Sequence, residues 1–256
     1  MPHQTQNSNQ QRDKRVPEIA VMSCDALGLH RMLDTDDSAG LAADTLDGML
    51  GQIVTAHAVY EETDHASQPF ELFQSALYFG DSIYVFGDES DPLRKQITKL
   101  TALAGAILWV GITSTLRGKR KSFVPRIGIA VGNLRIRTID VAGRSIRFRI
   151  GQSMARAHDI ERGQDWVGGA LPAGFHEGDD SNAIAYEVPT HKAYDGPRIA
   201  AINWCKTASL NSDQYPPSRL VGDLALHASE STAPDTKRKW NATCDFAQAM
   251  LQIGDH

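Results

Sequence analysis

Apolar and polar positions along the chain change period several times, and each change marks an element. Glu18 to Cys24 holds the apolar run Ile19-Ala20-Val21-Met22, which predicts a strand with both faces covered. Asp34 to Asp37 supply a cap and first-turn acids. Leu46, Met49, Leu50, Ile53 and Val54 then recur at helical spacing and predict a helix ending near Tyr60. After a polar loop from Glu61 to Pro69, two β-like runs follow, Glu71 to Phe79 and Ser82 to Phe86. Only Gly80-Asp81 separates them, the sequence form of a tight hairpin with Asp81 at its tip. Ser90 and Pro92 open a second helix, whose Leu93, Ile97, Leu100, Ala104, Ile107 and Leu108 form one apolar face.

Beyond a basic loop from Arg117 to Lys121, strands are expected over Arg126 to Val131, Leu134 to Ile139 and Ser145 to Ile150. A third helix is expected over Gln152 to Gln164, then short strands at Trp166 to Leu171, Ala183 to Val188 and Arg198 to Trp204. This order implies an α+β sandwich, a mostly antiparallel sheet with helices packed on a face, rather than a doubly wound parallel sheet. From Lys206 the pattern weakens through Pro216-Pro217 and the polar stretch Ser229 to Thr236, before a short helix from Ala242 to Leu251. The expected division is a disordered tail over 1–16, a main domain over 17–205 and a C-terminal extension over 206–256 packed on it.

Composition narrows the classes without choosing among them. The chain has 256 residues, 41% hydrophobic and 22% charged, with a net charge of −5, the balance of an ordinary soluble domain and no footprint for nucleic acid. Met1 to Arg15 lacks the apolar stretch of a signal peptide. Leu100 to Ile112, broken by Thr101 and two glycines, falls short of the roughly 20 residues that span a bilayer, so a cytoplasmic protein away from membranes is expected. Cys24, Cys205 and Cys244 have neither metal-binding nor disulfide spacing. Gly111 and Gly118-Lys119 fail as a phosphate loop, because six residues separate the glycines and Arg120 stands where Ser or Thr is needed. Gly128 and Gly132 lack the dinucleotide fingerprint and are expected to permit close packing or a bulge. The cluster Arg117, Lys119, Arg120 and Lys121 reads as a solvated loop, without the aromatic platform of a single-strand site.

Two aspartates remain. Asp25 closes the first strand and Asp81 tips the hairpin, and a carboxylate ending an apolar β run either caps a turn or holds a cation. A hairpin tip beside the end of that strand would bring the two together. Paired carboxylates with open coordination suit Mg²⁺ or Mn²⁺, hard cations that keep waters and bind phosphate oxygens, which points to nucleotide chemistry.

At these residues the chain resembles the class III nucleotidyl cyclases. Asp25-Ala26-Leu27-Gly28-Leu29 is similar to the segment that ends the family's first strand, and Gly80-Asp81 to its hairpin tip. Arg126-Ile127-Gly128-Ile129-Ala130-Val131-Gly132 resembles its later Arg-x-Gly-Ile-x-x-Gly strand, and Gly151 to Glu161 its glycine-started helix. The resemblance covers Glu18 to Tyr186, in the family's order. It implies a class III cyclase-like fold over 17–205, with Asp25, the Ala26 main-chain carbonyl and Asp81 holding two Mn²⁺ or Mg²⁺ ions. It further implies a head-to-tail homodimer with sites at the interface. The family's Asn-x-x-x-Arg pair, which holds ribose and stabilises the transferring phosphorus, falls on Gln152 and Arg156 by spacing, or on Ala155 and Asp159 if aligned on Gly151. Purine cyclases carry Lys or Glu four residues before the hairpin Asp, whereas this chain has Leu77, followed by Tyr78. With the segments Glu161 to Gly168 and Lys239 to Thr243, that departure resembles the bacterial pyrimidine cyclases of the Pycsar anti-phage system. The implied reaction is UTP, or less favourably CTP, to its 3′,5′-cyclic monophosphate and pyrophosphate, the product being read by a separate effector. The alternatives are a catalytically silent domain that binds a nucleotide or a protein, and a diguanylate-type synthase, whose Gly-Gly-Asp-Glu-Phe hairpin is replaced here by Phe79-Gly80-Asp81-Ser82.

Overall fold

An unbroken buried strand organises the fold. In the computed structural model, residues 17–27, 51, 76–79, 82–118, 123–141, 143–175, 182–206 and 215–253 are described. Strand β1 (Glu18–Leu27) is buried from Ile19 to Cys24, as its apolar run requires, and lies centrally. On one side it pairs antiparallel with β3 (Ser82–Phe86), and β3 with β2 (Ala76–Phe79). On the other side it pairs with the long β4 (Val124–Val141). Continuing outward are β6 (Gly169–Pro172), β8 (Ile199–Ile202) and β7 (Ala183–Glu187), and among the described residues only the β4–β6 pairing is parallel. Strand β5 (Arg144–Gly151) pairs with β4 from Leu134 onward, beyond the stretch that pairs with β1, so these two strands leave the sheet as a ribbon. The architecture is α+β with a mostly antiparallel sheet. The strands expected over Arg126–Val131 and Leu134–Ile139 are one strand. Gly132 between them serves close packing and makes no turn: a Cβ there would press on the Ser153 amide at 3.1 Å.

Among the described residues, two helices pack on the sheet, on opposite faces rather than on one. Helix α1 (Leu93–Leu116) follows Pro92. Its Gly111 lies so close to the Pro125 ring that no Cβ would fit. Thr101 and Thr113 stay within the helix by donating to the Ile97 and Trp109 carbonyls at 2.9 and 2.7 Å, so neither they nor the glycines break it. The helix is therefore 24 residues long and apolar enough to cross a membrane by length and composition, but 83% of that apolar window is buried within the protein. Helix α2 (Gln152–Gly163) packs on alternate positions of β4, where a Cβ on Gly128 would overlap the Ala157 carbonyl and the Glu161 backbone.

The chain beyond Lys206 departs most from its expected form. In place of one short helix it forms α3 (Pro217–Glu230) and α4 (Pro234–Ile253). Prolines that read as breakers occupy first helical turns, where the missing N–H costs nothing. Leu220, Leu224, Trp240 and Phe246 are buried in the same core as the sheet. Phe246 meets Trp166 edge-on at 4.9 Å, and Thr243 Oγ1 both accepts from the Val167 amide and donates to its carbonyl, each at 3.0 Å. The expected helix over Asp34 to Tyr60 and the loop over Glu61 to Pro69 lie outside the described residues, apart from helical Gly51.

The α2–β4 approach gives a direct test. Gly128→Ala should lose about 2 kcal/mol or more of stability in urea melts, because backbone on both sides must move. Gly174→Ala, with nothing within 4 Å, should stay within about 0.5 kcal/mol.

Candidate functional site

The end of β1 sets Asp25 between two partners. It pairs with Ser82 on β3 and with Arg126 on β4, and its side chain is 18% exposed. Because Phe79 pairs with Ser82, the two-residue link between β2 and β3 springs from the position beside Asp25. Asp81, in that link, lies outside the described residues, as do the side chains of Leu77 and Tyr78 on β2. Among the described residues no three His, Cys, Asp or Glu side chains gather as a metal-ligand set. What Asp25 offers such an ion is one hard carboxylate at the rim of the sheet. The Ala26 residue that follows is buried, and its side chain turns to the opposite face.

Arg126 extends this site inward. Its Nη2 lies 3.4 Å from Asp25 Oδ2, and its Nε and Nη2 both lie 2.5 Å from Glu161 Oε1 on α2. Glu161 is fully buried. Its second oxygen lies 3.2 Å from His158 Nδ1. Burial raises the Glu161 carboxyl against the pull of Arg126, with Asp25 raising it further, to about 7. The signal for this residue in the sequence is its place on the helix. Glu161 stands one helical turn from buried Ala157 and beside buried Ile160, so an ionisable group sits on the apolar stripe of an amphipathic helix.

Gln152 and Arg156 do not join Asp25 within one chain. Helix α2 runs antiparallel to β4: its start lies over Gly132 and its end over Gly128 and Arg126. Arg156 donates to the Val131 carbonyl at 3.4 Å. Val131 is five strand positions from Arg126, about 17 Å. Gln152, Ala155, Arg156 and Asp159 are all exposed, so both alignments of the expected pair place it on the solvent side of α2.

The raised Glu161 carboxyl gives stability a definite sign with pH. Between the ordinary value of 4.5 and about 7, the folded protein keeps a proton that the unfolded chain releases. Stability is therefore full below that window and falls as pH rises through it, by on the order of 3 kcal/mol. Thermal unfolding followed by circular dichroism should show this decline between pH 4.5 and 7. Glu161→Gln should match the parent near pH 5 and flatten the slope above it.

No protein-family model matches the chain, and no curated protein matches its sequence. Solved structures do match. The adenylyl cyclase CyaB from P. aeruginosa aligns with a TM-score of 0.51 and 14% identity over 73% of this chain and 93% of that one. The guanylyl cyclase Cya2 gives 0.50 and 14% over 72% and 89%. The guanylate cyclase domain of RhGC from Catenaria anguillulae, solved with GTP, gives 0.50 and 11% over 73% and 95%. At such identities the likeness concerns the fold, and this chain has the fold of the class III nucleotidyl cyclases.

Proposed function

We propose that the protein is a metal-dependent pyrimidine nucleotide cyclase that converts UTP, or less favourably CTP, to the 3′,5′-cyclic monophosphate and pyrophosphate. Acting in the cytoplasm, it would serve anti-phage defence, its product being read by a separate effector. The observation that carries this reading is Asp25 at the end of β1 in a cyclase fold, paired with the residue that follows Gly80-Asp81. Asp25, the Ala26 carbonyl and Asp81 would hold two Mn²⁺ or Mg²⁺ ions, which when bound lower the pKa of the ribose 3′-hydroxyl and neutralise the triphosphate. The 3′-oxygen attacks the α-phosphorus, its proton leaves to solvent, and the bond to pyrophosphate breaks. Arg156 and Gln152 orient ribose and the transferring phosphorus of a nucleotide held by the partner protomer. Leu77, with Tyr78 next to it, replaces the charged residue that would meet a purine edge and favours a smaller base.

The homodimer is supported by the ribbon of β4 and β5. Arg135 pairs with Ile150 and Arg137 with Phe148, so these residues share one face with Ile139. Ile139, Phe148 and Ile150 are 48%, 38% and 63% exposed, and burying each is worth about 2 kcal/mol.

A silent nucleotide-binding domain is the second reading. It is favoured by the Arg126 guanidinium near Asp25, a cation where a metal would otherwise sit. Incubating the protein with each triphosphate and Mn²⁺, with products identified by mass, separates the two: metal-dependent UTP binding without product selects the silent domain. Under the cyclase reading, Asp25→Asn and Asp81→Ala should each lower cyclic UMP formation at least 100-fold with an unchanged circular dichroism spectrum. Ile150→Asp should shift the protein to monomer in sedimentation and abolish turnover with it.

A further inference from the structure

The C-terminal helix α4 brings a cation to the face of the sheet that carries Asp25. Leu27 and Val124, paired at the ends of β1 and β4, and Trp240 on α4 wall a cavity of about 330 Å³. Asp235, Thr236 and Lys239 supply its polar side from the first turns of α4. The volume lies within the range of small-molecule sites, roughly 300–1,000 Å³. Leu27 stands two residues beyond Asp25 on the same face of β1, about 7 Å along the strand. The cavity therefore begins about one polyphosphate length from the candidate metal ligand.

The charges around it are unequally matched. Arg238 binds Asp165 through Nε and Nη2 at 2.7 and 3.0 Å, and Asp235 through Nη1 at 3.0 Å. Asp165 and Asp235, whose charges also act on Lys239, are thus ion-paired to its neighbour in sequence. No carboxylate among the described residues lies within 4.0 Å of the half-buried Lys239 ammonium. Burial first, and then the charge of Arg126, lower its pKa below that of an ordinary lysine. An anion entering the cavity would favour the charged ammonium against both effects.

The geometry points to Lys239, with the Thr236 hydroxyl, as a binding site for the phosphates of the nucleoside triphosphate, contributed by the C-terminal extension to the Asp25 site. This rests on the cyclase reading for its ligand. Phosphate oxygens suit the site because Lys239 presents a compact point charge and Thr236 a hydroxyl donor.

The test is calorimetric titration of the full-length protein with inorganic tripolyphosphate in the absence of divalent metal, followed by UTP turnover with Mn²⁺. Lys239→Met, which keeps the stem length, should weaken tripolyphosphate binding at least 10-fold and raise KM for UTP by a similar factor. Lys239→Arg should stay within about threefold, and Lys237→Met, exposed on the same helix, should match the parent and control for net charge. If Lys239→Met lowers the melting temperature, Lys239→Gln and Thr236→Val carry the same expectation. Unchanged tripolyphosphate affinity and KM in a folded Lys239 variant overturns the inference, as does a parent protein that binds no tripolyphosphate. Product formation that is indifferent to Lys239 sinks this inference and leaves the cyclase standing. Lys239-dependent binding without any product supports the phosphate site and sinks the cyclase.

Discussion

Arg126 lies between two carboxylates from different elements, and much of the site's geometry hangs on that bridge. Its guanidinium, 11% exposed, joins Asp25 on β1 to Glu161 on α2 while its own backbone holds the β1–β4 ladder in register. Glu161 can reach it only because Gly128 lets α2 settle onto β4. Removing the arginine would leave a buried carboxylate without its cation, a change worth about 3–5 kcal/mol. The same bridge fixes the side chain of Asp25 at the sheet rim, so the packing of α2 and the orientation of the candidate metal ligand are one constraint. Burial is the main cause of the raised Glu161 carboxyl, and with both acids ionised the trio also carries one excess negative charge, which adds to that rise and which a cation at the rim would offset.

The two C-terminal helices obey a related logic. Thr243 ties α4 to the loop after α2 through both hydrogen-bonding groups of Val167, and Phe246 meets the stacked Trp166 and Tyr186 rings edge-on, at 4.9 Å to each. Arg238 fastens the start of the same helix to Asp165. Burial would raise the Asp165 carboxyl, yet the Arg238 bonds and the charges of His191 and Arg238 outweigh it, and its pKa lies below the ordinary value. This contribution to stability is present above the ordinary aspartate range and is lost only as pH falls below it. At neutral pH the first turns of α4 are thereby held against the ends of β1 and β4.

What could be read from the sequence followed from local periodicity. The central strand, the hairpin around Gly80-Asp81 and helices α1 and α2 were legible because each has a single dominant period over its length. The continuity of β4 was not, since Gly132 and Asn133 interrupt its apolar pattern, and the reason the strand runs through them is the approach of α2 to the glycine. Helices α3 and α4 were obscured by prolines that mark beginnings rather than ends. In the site, Asp25 stood out because a carboxylate closes an apolar run. Arg126 and Glu161 meet across 35 positions in the chain, a pairing that no local pattern announces. The packing of α1 and α2 on opposite faces likewise depends on which alternate positions of β4 carry glycine.

The direction of α2 bears on how such a site could be completed. Its buried end delivers Glu161 beneath Arg126, and its exposed start carries Gln152 and Arg156 to the Val131 end of the strand, about 17 Å away. A nucleotide whose phosphates lie at Asp25 cannot also touch Arg156 of the same chain, because the intervening face of β4, from Gly128 to Gly132, is covered by α2 itself. If these α2 residues act on a transferring phosphorus, they act on one held by another copy. The unpaired ribbon beyond Asn133 then has a physical reason for its exposed apolar face: an antiparallel approach of two such sheets would bring the start of α2 from one copy toward the Asp25 rim of the other. Lys239 differs in kind from Arg156 in this respect, for it reaches the rim from within the same chain, so that one protomer would supply both metal ligand and phosphate cation while its partner supplied the group for the transferring phosphorus.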